Sequence, residues 1–238
     1  MENVLAWAIS RNLRKNDNPA RWRGLLQTQL PAPSKIKKVK HHAALPITEV
    51  GAFVKELRKL EGNGARALEF AILTAARSGE VLGATWSEID LENKIWTIPA
   101  ERMKAGKEHR VPLSSAAVKV LNGQQPGEGK DLIFPAPRGG QLSDMTLSAV
   151  TRRMGAKAVP HGFRSTFRDY WAAERTNYPR DAAEMALAHS IGNKVEAAYR
   201  RGDLFEKRRR LMDAWDGYCA GAVPAGEVVP IRREAALA

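Results

Sequence analysis

The chain is 238 residues long, with 38 lysines and arginines against 26 aspartates and glutamates, a formal charge of +12 and a pI near 10.0. That excess asks for a polyanionic partner, without by itself separating nucleic acid from an anionic membrane surface. The single cysteine, Cys219, excludes an intrachain disulfide, and the most apolar run, "ARALEFAILTAA", is too short to cross a bilayer and contains Glu69.

In chain order, the opening "MENVLAWAISRNLRKND" lacks the basic-then-apolar order and cleavage site of a signal peptide. Apolar Val4, Leu5, Ala8 and Ile9 predict a helix over residues 3–15, broken at "NDNPA" by Pro19. Then "LPAPSKIKKVKHHAALP" combines three prolines, four lysines and two histidines with few large apolar groups, which describes an extended linker able to lie along phosphates. Residues 1–60 hold twelve basic and four acidic side chains, so the positive charge is dense at this end.

From Ile47 the composition turns globular. "ITEVGAFVKELRKL" predicts a helix capped by Thr48, and "GARALEFAILTAA" a second, more deeply buried one. The β-branched runs "KIWTIPA" and "HRVPLS", separated by "ERMKAGKE", predict a hairpin whose tip contains Gly106. "SSAAVKVLNG" reads as a capped helix ending at Gly123. Helical patterns follow in "SDMTLSAVTRRMG", "HGFRSTFRDYWAAERT", "PRDAAEMALAHS", "NKVEAAYRR" and "LFEKRRRLMDAWDGYCAG", and "AVPAGEVVPIRREAA" reads as a tail. The expected class is mainly α with one small antiparallel β-sheet (α+β). The expected organisation is the end of a helical domain in 1–30, a basic linker in 31–46, a main domain in 47–220 and a tail in 221–238.

Several groups along this domain can carry chemistry. His161 and Arg164 in "PHGFRSTFRD" are three apart and share a helix face, with Arg168 a turn later; on its own such a motif is more often solvated or a passive phosphate contact. Arg77, where the buried helix meets a Ser-Gly turn, is costly to bury unless paired. Glu80 can be its ion-pair partner, or can orient it towards a ligand. Lys104 and Lys107 ride on the hairpin tip, where lysines are usually just solvated. His189 precedes Tyr199 by ten residues, and no histidine pair has the spacing of a zinc site.

Taken together, Arg, hairpin Lys, His-x-x-Arg, His and Tyr, in that order, resemble the catalytic domain of the tyrosine recombinases, most closely the integrases of prophages and genomic islands. The resemblance runs from about Asn18 to Tyr218 through "TAARSGEV", "IPAERMK", "HRVPLS", "HGFRSTFRDYWAAE" and "EMALAHSIGNKVEAAYRRGDLFEKRRRLMDAW". It implies that Arg77 and Arg164 are the arginine pair, Lys104 the hairpin lysine (Lys107 a weaker match), His161 and His189 the two histidines, and Tyr199 the nucleophile. The interval from His189 to Tyr199 is one residue longer than in Xer-like members.

The implied activity is cleavage and rejoining of DNA through a covalent 3′-phosphotyrosine, with no metal, cofactor or ATP, for integration or excision of a mobile element. Implied partners are double-stranded attachment-site DNA, three further copies of the chain in a synaptic tetramer assembled from free monomers, and a host DNA-bending protein; no membrane is involved. Implied location is the bacterial cytoplasm, at the nucleoid. Lys35, Lys37, Lys38, Lys40, Arg168, Arg200 and the Arg208–Arg210 run are the expected contacts to DNA phosphates, giving salt-dependent binding with little sequence choice. A DNA-binding module without catalysis, and a type IB topoisomerase using the same groups, are the rival readings.

Overall fold

The computed structural model describes residues 1–32, 42–127, 129, 131–172, 177–189 and 202–221. The chain divides into two compact units, Met1–His41 and His42–Ala238. In the first, α1 spans Glu2–Ser10 and buries none of its residues. It is shorter than the expected 3–15, because Asn12 turns into the left-handed region (φ 56°). There Asn12 N–H donates to Ile9 and Leu13 N–H to Ala8, closing the last carbonyls in a Schellman arrangement.

The second unit begins earlier than the linker reading placed it, since residues 42–46 pack with the main domain. Leu45 is buried, Val159 N–H donates to the Ala43 carbonyl at 3.0 Å, and the Thr166 hydroxyl donates to the Leu45 carbonyl at 2.7 Å. A 3₁₀ turn over Ile47–Glu49 leads into α2, Val50–Leu57. Thr48 therefore caps nothing: Pro46, already in an extended conformation, accepts from Glu49 N–H and starts the turn two residues earlier. Helix α3, Asn63–Thr74, is apolar on nearly every side and runs through the centre of the unit. It ends because Ala75 adopts φ 51°, after which Arg77 starts α4, Ser78–Leu82.

Three antiparallel strands follow in the order β1 (Ile89–Asp90), β2 (Ile95–Ile98) and β3 (His109–Pro112). Trp96 pairs with Ile89 and Val111, and Ile98 with His109. Since side chains alternate along a strand, Trp96, Ile98, Val111 and His109 share the face turned to the core. Strand β1 was not expected; two residues are too few to show alternation.

Helices α5 (Ser115–Asn122), α6 (Thr146–Arg153), α7 (Gly162–Ala172), α8 (Arg180–Ala186) and α9 (Phe205–Cys219) complete the described unit. The Ser114 hydroxyl caps α5 by accepting from Ala117 N–H at 3.3 Å. Trp215 of α9 is wholly buried. It donates from Nε1 to the Ile72 carbonyl at 2.8 Å and meets Phe167 edge-on at 5.5 Å, joining α9, α3 and α7. The mainly helical fold with one small antiparallel sheet is the one read from the sequence. Among the described residues no helix is long and apolar enough to cross a membrane.

Candidate active site

The left-handed turn at Ala75 sets the first half of the site. It stops α3 and leaves the Ala75 carbonyl free of the helix, and that oxygen accepts from Arg164 Nη1. Two residues on, Arg77 heads α4, and Glu80 in the first turn holds it twice. One carboxylate oxygen accepts from Arg77 N–H at 2.8 Å and the other pairs with Nη1 at 2.7 Å. Both readings of this pair are compatible with the geometry, because Glu80 is buried while a quarter of the Arg77 side chain stays open. Arg102, from the β2–β3 connection, donates to the Glu80 carbonyl and to the Glu88 carboxylate, tying the hairpin to α4.

The second half comes from "HGFR". A Cβ on Gly162 would lie 1.9 Å from the Ala43 oxygen, so only glycine lets the entering chain pass over the start of α7. His161 precedes the helix instead of sharing a face of it with Arg164: His161 is exposed while Arg164 points inward and is 6% exposed. Arg164 Nη2 donates to the Leu187 carbonyl at 2.6 Å, and Arg77 Nη2 to the next carbonyl, Ala188, at 3.4 Å. Two guanidinium groups thus meet at the end of α8. Burial, then the charge of Arg77, brings Arg164 down to about 10, so it stays cationic at neutral pH. Two like charges held side by side, each with donors to spare, make a site for an anion.

Both histidines border these arginines. His189 Nε2 lies 3.4 Å from Arg164 Nη2, and its Nδ1 lies 2.7 Å from Glu184. Although the residue is exposed overall, partial burial of its ring comes first in lowering His161 from its ordinary value, followed by the charge of Arg164 and by His42. The ring is therefore neutral near pH 7 and able to accept a proton. His42 sits edge-on to it at 4.6 Å between centroids. His42 falls in a stretch whose composition reads as linker, and only its place beside the Gly162 crossing reveals the contact.

Not every expected residue joins this cluster. Lys104 is exposed in the β2–β3 connection and has no hydrogen bond or ion pair among the described residues; Lys107 is likewise exposed. Arg168 is exposed and pairs with Glu184 at 3.3 Å. Tyr199, Arg200, Lys35, Lys37, Lys38 and Lys40 lie outside the described residues. Arg208, grouped with Arg209 and Arg210 as a phosphate contact, needs correction. It is 2% exposed, and its guanidinium donates to the Asp203 carbonyl, the Asp203 carboxylate and the Arg110 carbonyl at 2.8, 2.7 and 2.5 Å. With three of its five N–H groups on protein oxygens and the side chain buried, this guanidinium is turned away from any surface a phosphate could reach. Among the described residues no group of three or more His, Cys, Asp or Glu is placed to hold a metal ion.

His109 is a neighbour the sequence did not single out. It is on the core face of β3, facing the Ala186 carbonyl, and burial followed by the charge of Arg208 lowers it to about 4. An unfolded histidine takes up a proton near pH 6.5 that the folded ring refuses. The stabilising contribution is therefore complete above about pH 6.5 and lost as the pH falls to about 4, a loss on the order of 3 kcal/mol. His109→Gln should show a smaller drop in urea midpoint between pH 7 and pH 4.5 than the parent protein; an equal drop would mean that another group sets the acid sensitivity.

The fold is that of integrase structures. An integrase from mycobacterium phage Brujita covers 93% of this chain and 74% of its own at 16% identity, with a TM-score of 0.56. A λ integrase tetramer bound to a Holliday junction covers 81% and 57% at 18% identity, with a TM-score of 0.57. Residues 45–204 match the Phage integrase family, and the chain belongs to that family. Among its relatives, the prophage integrase IntA of Escherichia coli K12 is 38% identical over 149 residues, 60% of this chain and 36% of IntA. The integrase of Enterobacteria phage P4 is 32% identical over 203 residues, 76% of this chain and 46% of its own. The chain thus spans half or less of the length of these relatives.

Proposed function

We propose that this protein is a tyrosine-type site-specific recombinase, which cuts and rejoins DNA through a 3′-phosphotyrosine to integrate or excise a mobile element. The observation that carries the reading is the meeting of Arg77, Arg164, His161 and His189 around one cationic centre, from three separate stretches of chain.

In the proposed reaction the arginine forks hold the two non-bridging oxygens of a DNA phosphate, where charge grows as phosphorus becomes five-coordinate. Tyr199 attacks phosphorus through its phenolic oxygen, and its proton passes to the neutral His161. His189 donates a hydrogen bond to a phosphoryl oxygen. The bond from phosphorus to the 5′-oxygen breaks, and Lys104 supplies the proton that this leaving oxygen needs. The ester on Tyr199 stores the bond energy, so the reverse attack by a 5′-hydroxyl reseals DNA without ATP. The four lysines at 35–40, Arg168 and Arg200 add backbone contacts.

The λ integrase seen as a tetramer on a Holliday junction, and a Tn1549 transposon integrase in complex with circular intermediate DNA, support DNA as the partner and a tetramer as the working assembly. A monomeric free state, a host DNA-bending partner and a bacterial cytoplasmic location belong to the same proposal.

The test is incubation with nicked duplexes bearing the element's own junction sequences, in EDTA. The proposal expects a protease-sensitive covalent complex and strand exchange between paired sites. Binding without an adduct would leave a DNA-binding module; relaxation of supercoils without exchange would favour the topoisomerase reading. The assignment of Lys104 has its own check. Lys104→Ala should cleave a normal phosphodiester about 10²–10⁴-fold more slowly, and a 5′-phosphorothiolate, whose sulfur leaves unprotonated, at close to the parental rate. No rescue by sulfur would remove Lys104 from the acid role.

A further inference from the structure

Resting on that reading, we propose that Glu184 is a positioning residue for His189, fixing which ring nitrogen carries the proton and turning the other towards the phosphate-binding arginines. Three bonds converge on Glu184. One carboxylate oxygen lies 2.7 Å from His189 Nδ1, the other 3.3 Å from Arg168 Nη2, and its backbone carbonyl accepts from His189 N–H at 2.9 Å. The last bond exists because Ala188 adopts φ 48°, reversing the chain at the end of α8 and folding His189 back over the turn that bears Glu184. The carboxylate is half-buried and held from its far side by Arg168, so its bond to the ring is directed rather than averaged over solvent.

The chemistry follows from the inventory of an imidazole. A carboxylate only accepts, so Nδ1 must carry hydrogen, and a neutral ring then has its lone pair on Nε2. That nitrogen is the one beside Arg164, at 3.4 Å. When the ring takes a second proton, Nε2–H becomes the donor to a phosphoryl oxygen, and the negative charge of Glu184 offsets the charge gained. The groups facing the ring carry opposite charge. Arg164 and the neighbouring His161 lie on one side of it, and the Glu184 carboxylate, shared with Arg168, on the other. Without Glu184, a neutral imidazole reverts to its usual preference for hydrogen on Nε2, and nothing directs the ring.

Two measurements on the full chain test this. Ring nitrogen-15 spectra at alkaline pH, with His189 assigned by comparison with His189→Ala, should show the Nδ1–H tautomer in the parent and the Nε2–H tautomer in Glu184→Ala. This readout is independent of activity, so it decides the proposal even if the recombinase reading fails. In single-turnover cleavage of nicked DNA, Glu184→Ala should be roughly tenfold slower with unchanged DNA affinity. The same change made in a His189→Ala background should cost nothing further. An Nε2–H tautomer in the parent, or an equal loss in both backgrounds, would overturn the assignment. Failure of the parent to form any adduct would instead count against the recombinase reading alone.

Discussion

Tyr199→Phe should bind DNA like the parent and form no covalent complex, a loss of roughly 10⁴-fold or more in adduct formation. The substitution removes one oxygen and keeps the ring, so it should leave the proposed phosphate contacts of the arginines and lysines untouched and remove only the proposed nucleophile. The sequence contains four tyrosines, and the three others are committed elsewhere. Tyr170 is 2% exposed, and burial pushes its hydroxyl up to about 12. Tyr178 donates its hydroxyl to the Arg210 carbonyl at 3.1 Å, and Tyr218 stacks on Trp215. None is a credible substitute without rearrangement of the core or of α9. Binding by gel shift alongside cleavage of a nicked duplex checks both halves; a residual adduct in the variant would mean that another residue attacks.

Arg164→Lys should be nearly as damaging to chemistry, slowing single-turnover cleavage by about 10²–10³, as for loss of an oxyanion donor. A guanidinium serves the Ala75 and Leu187 carbonyls with two nitrogens at once and keeps donors for phosphate, whereas an ammonium is a single point of charge. Because Arg164 also joins α3, α7 and α8, some of its effect will be on stability. Arg77→Lys separates the two. Arg77 is more open and anchored by the adjacent Glu80, so its replacement should slow cleavage similarly while the melting temperature moves little. Cleavage at the parental rate in either folded variant would remove that arginine from the phosphate site.

How much of this was legible in the residues alone depended on the physics behind each feature. Continuous apolar character announced α3 and spacing announced α9, because both bury side chains against most of their surroundings. Arg77 and Glu80 were readable as a pair because they are three apart on one short helix. Glu184 was not: it lies five residues before His189, off the helical spacing, and the two meet only because Ala188 reverses the backbone. His42 was hidden in a composition that reads as linker, and its contact with His161 follows from a backbone crossing. Arg208 reads from the sequence as one of three adjacent phosphate-contacting arginines, yet α9 turns it inward onto Asp203 and β3. Charge runs report composition; burial follows from the phase of the helix that carries them.

The central claim is that one tyrosine becomes esterified to DNA without a metal. The direct measurement is mass spectrometry of the nucleotide-bearing peptide after suicide cleavage in EDTA. The account predicts a 3′-phosphonucleotide on Tyr199, and a modified Tyr178 or Tyr218, or cleavage that stops when EDTA is added, would contradict it.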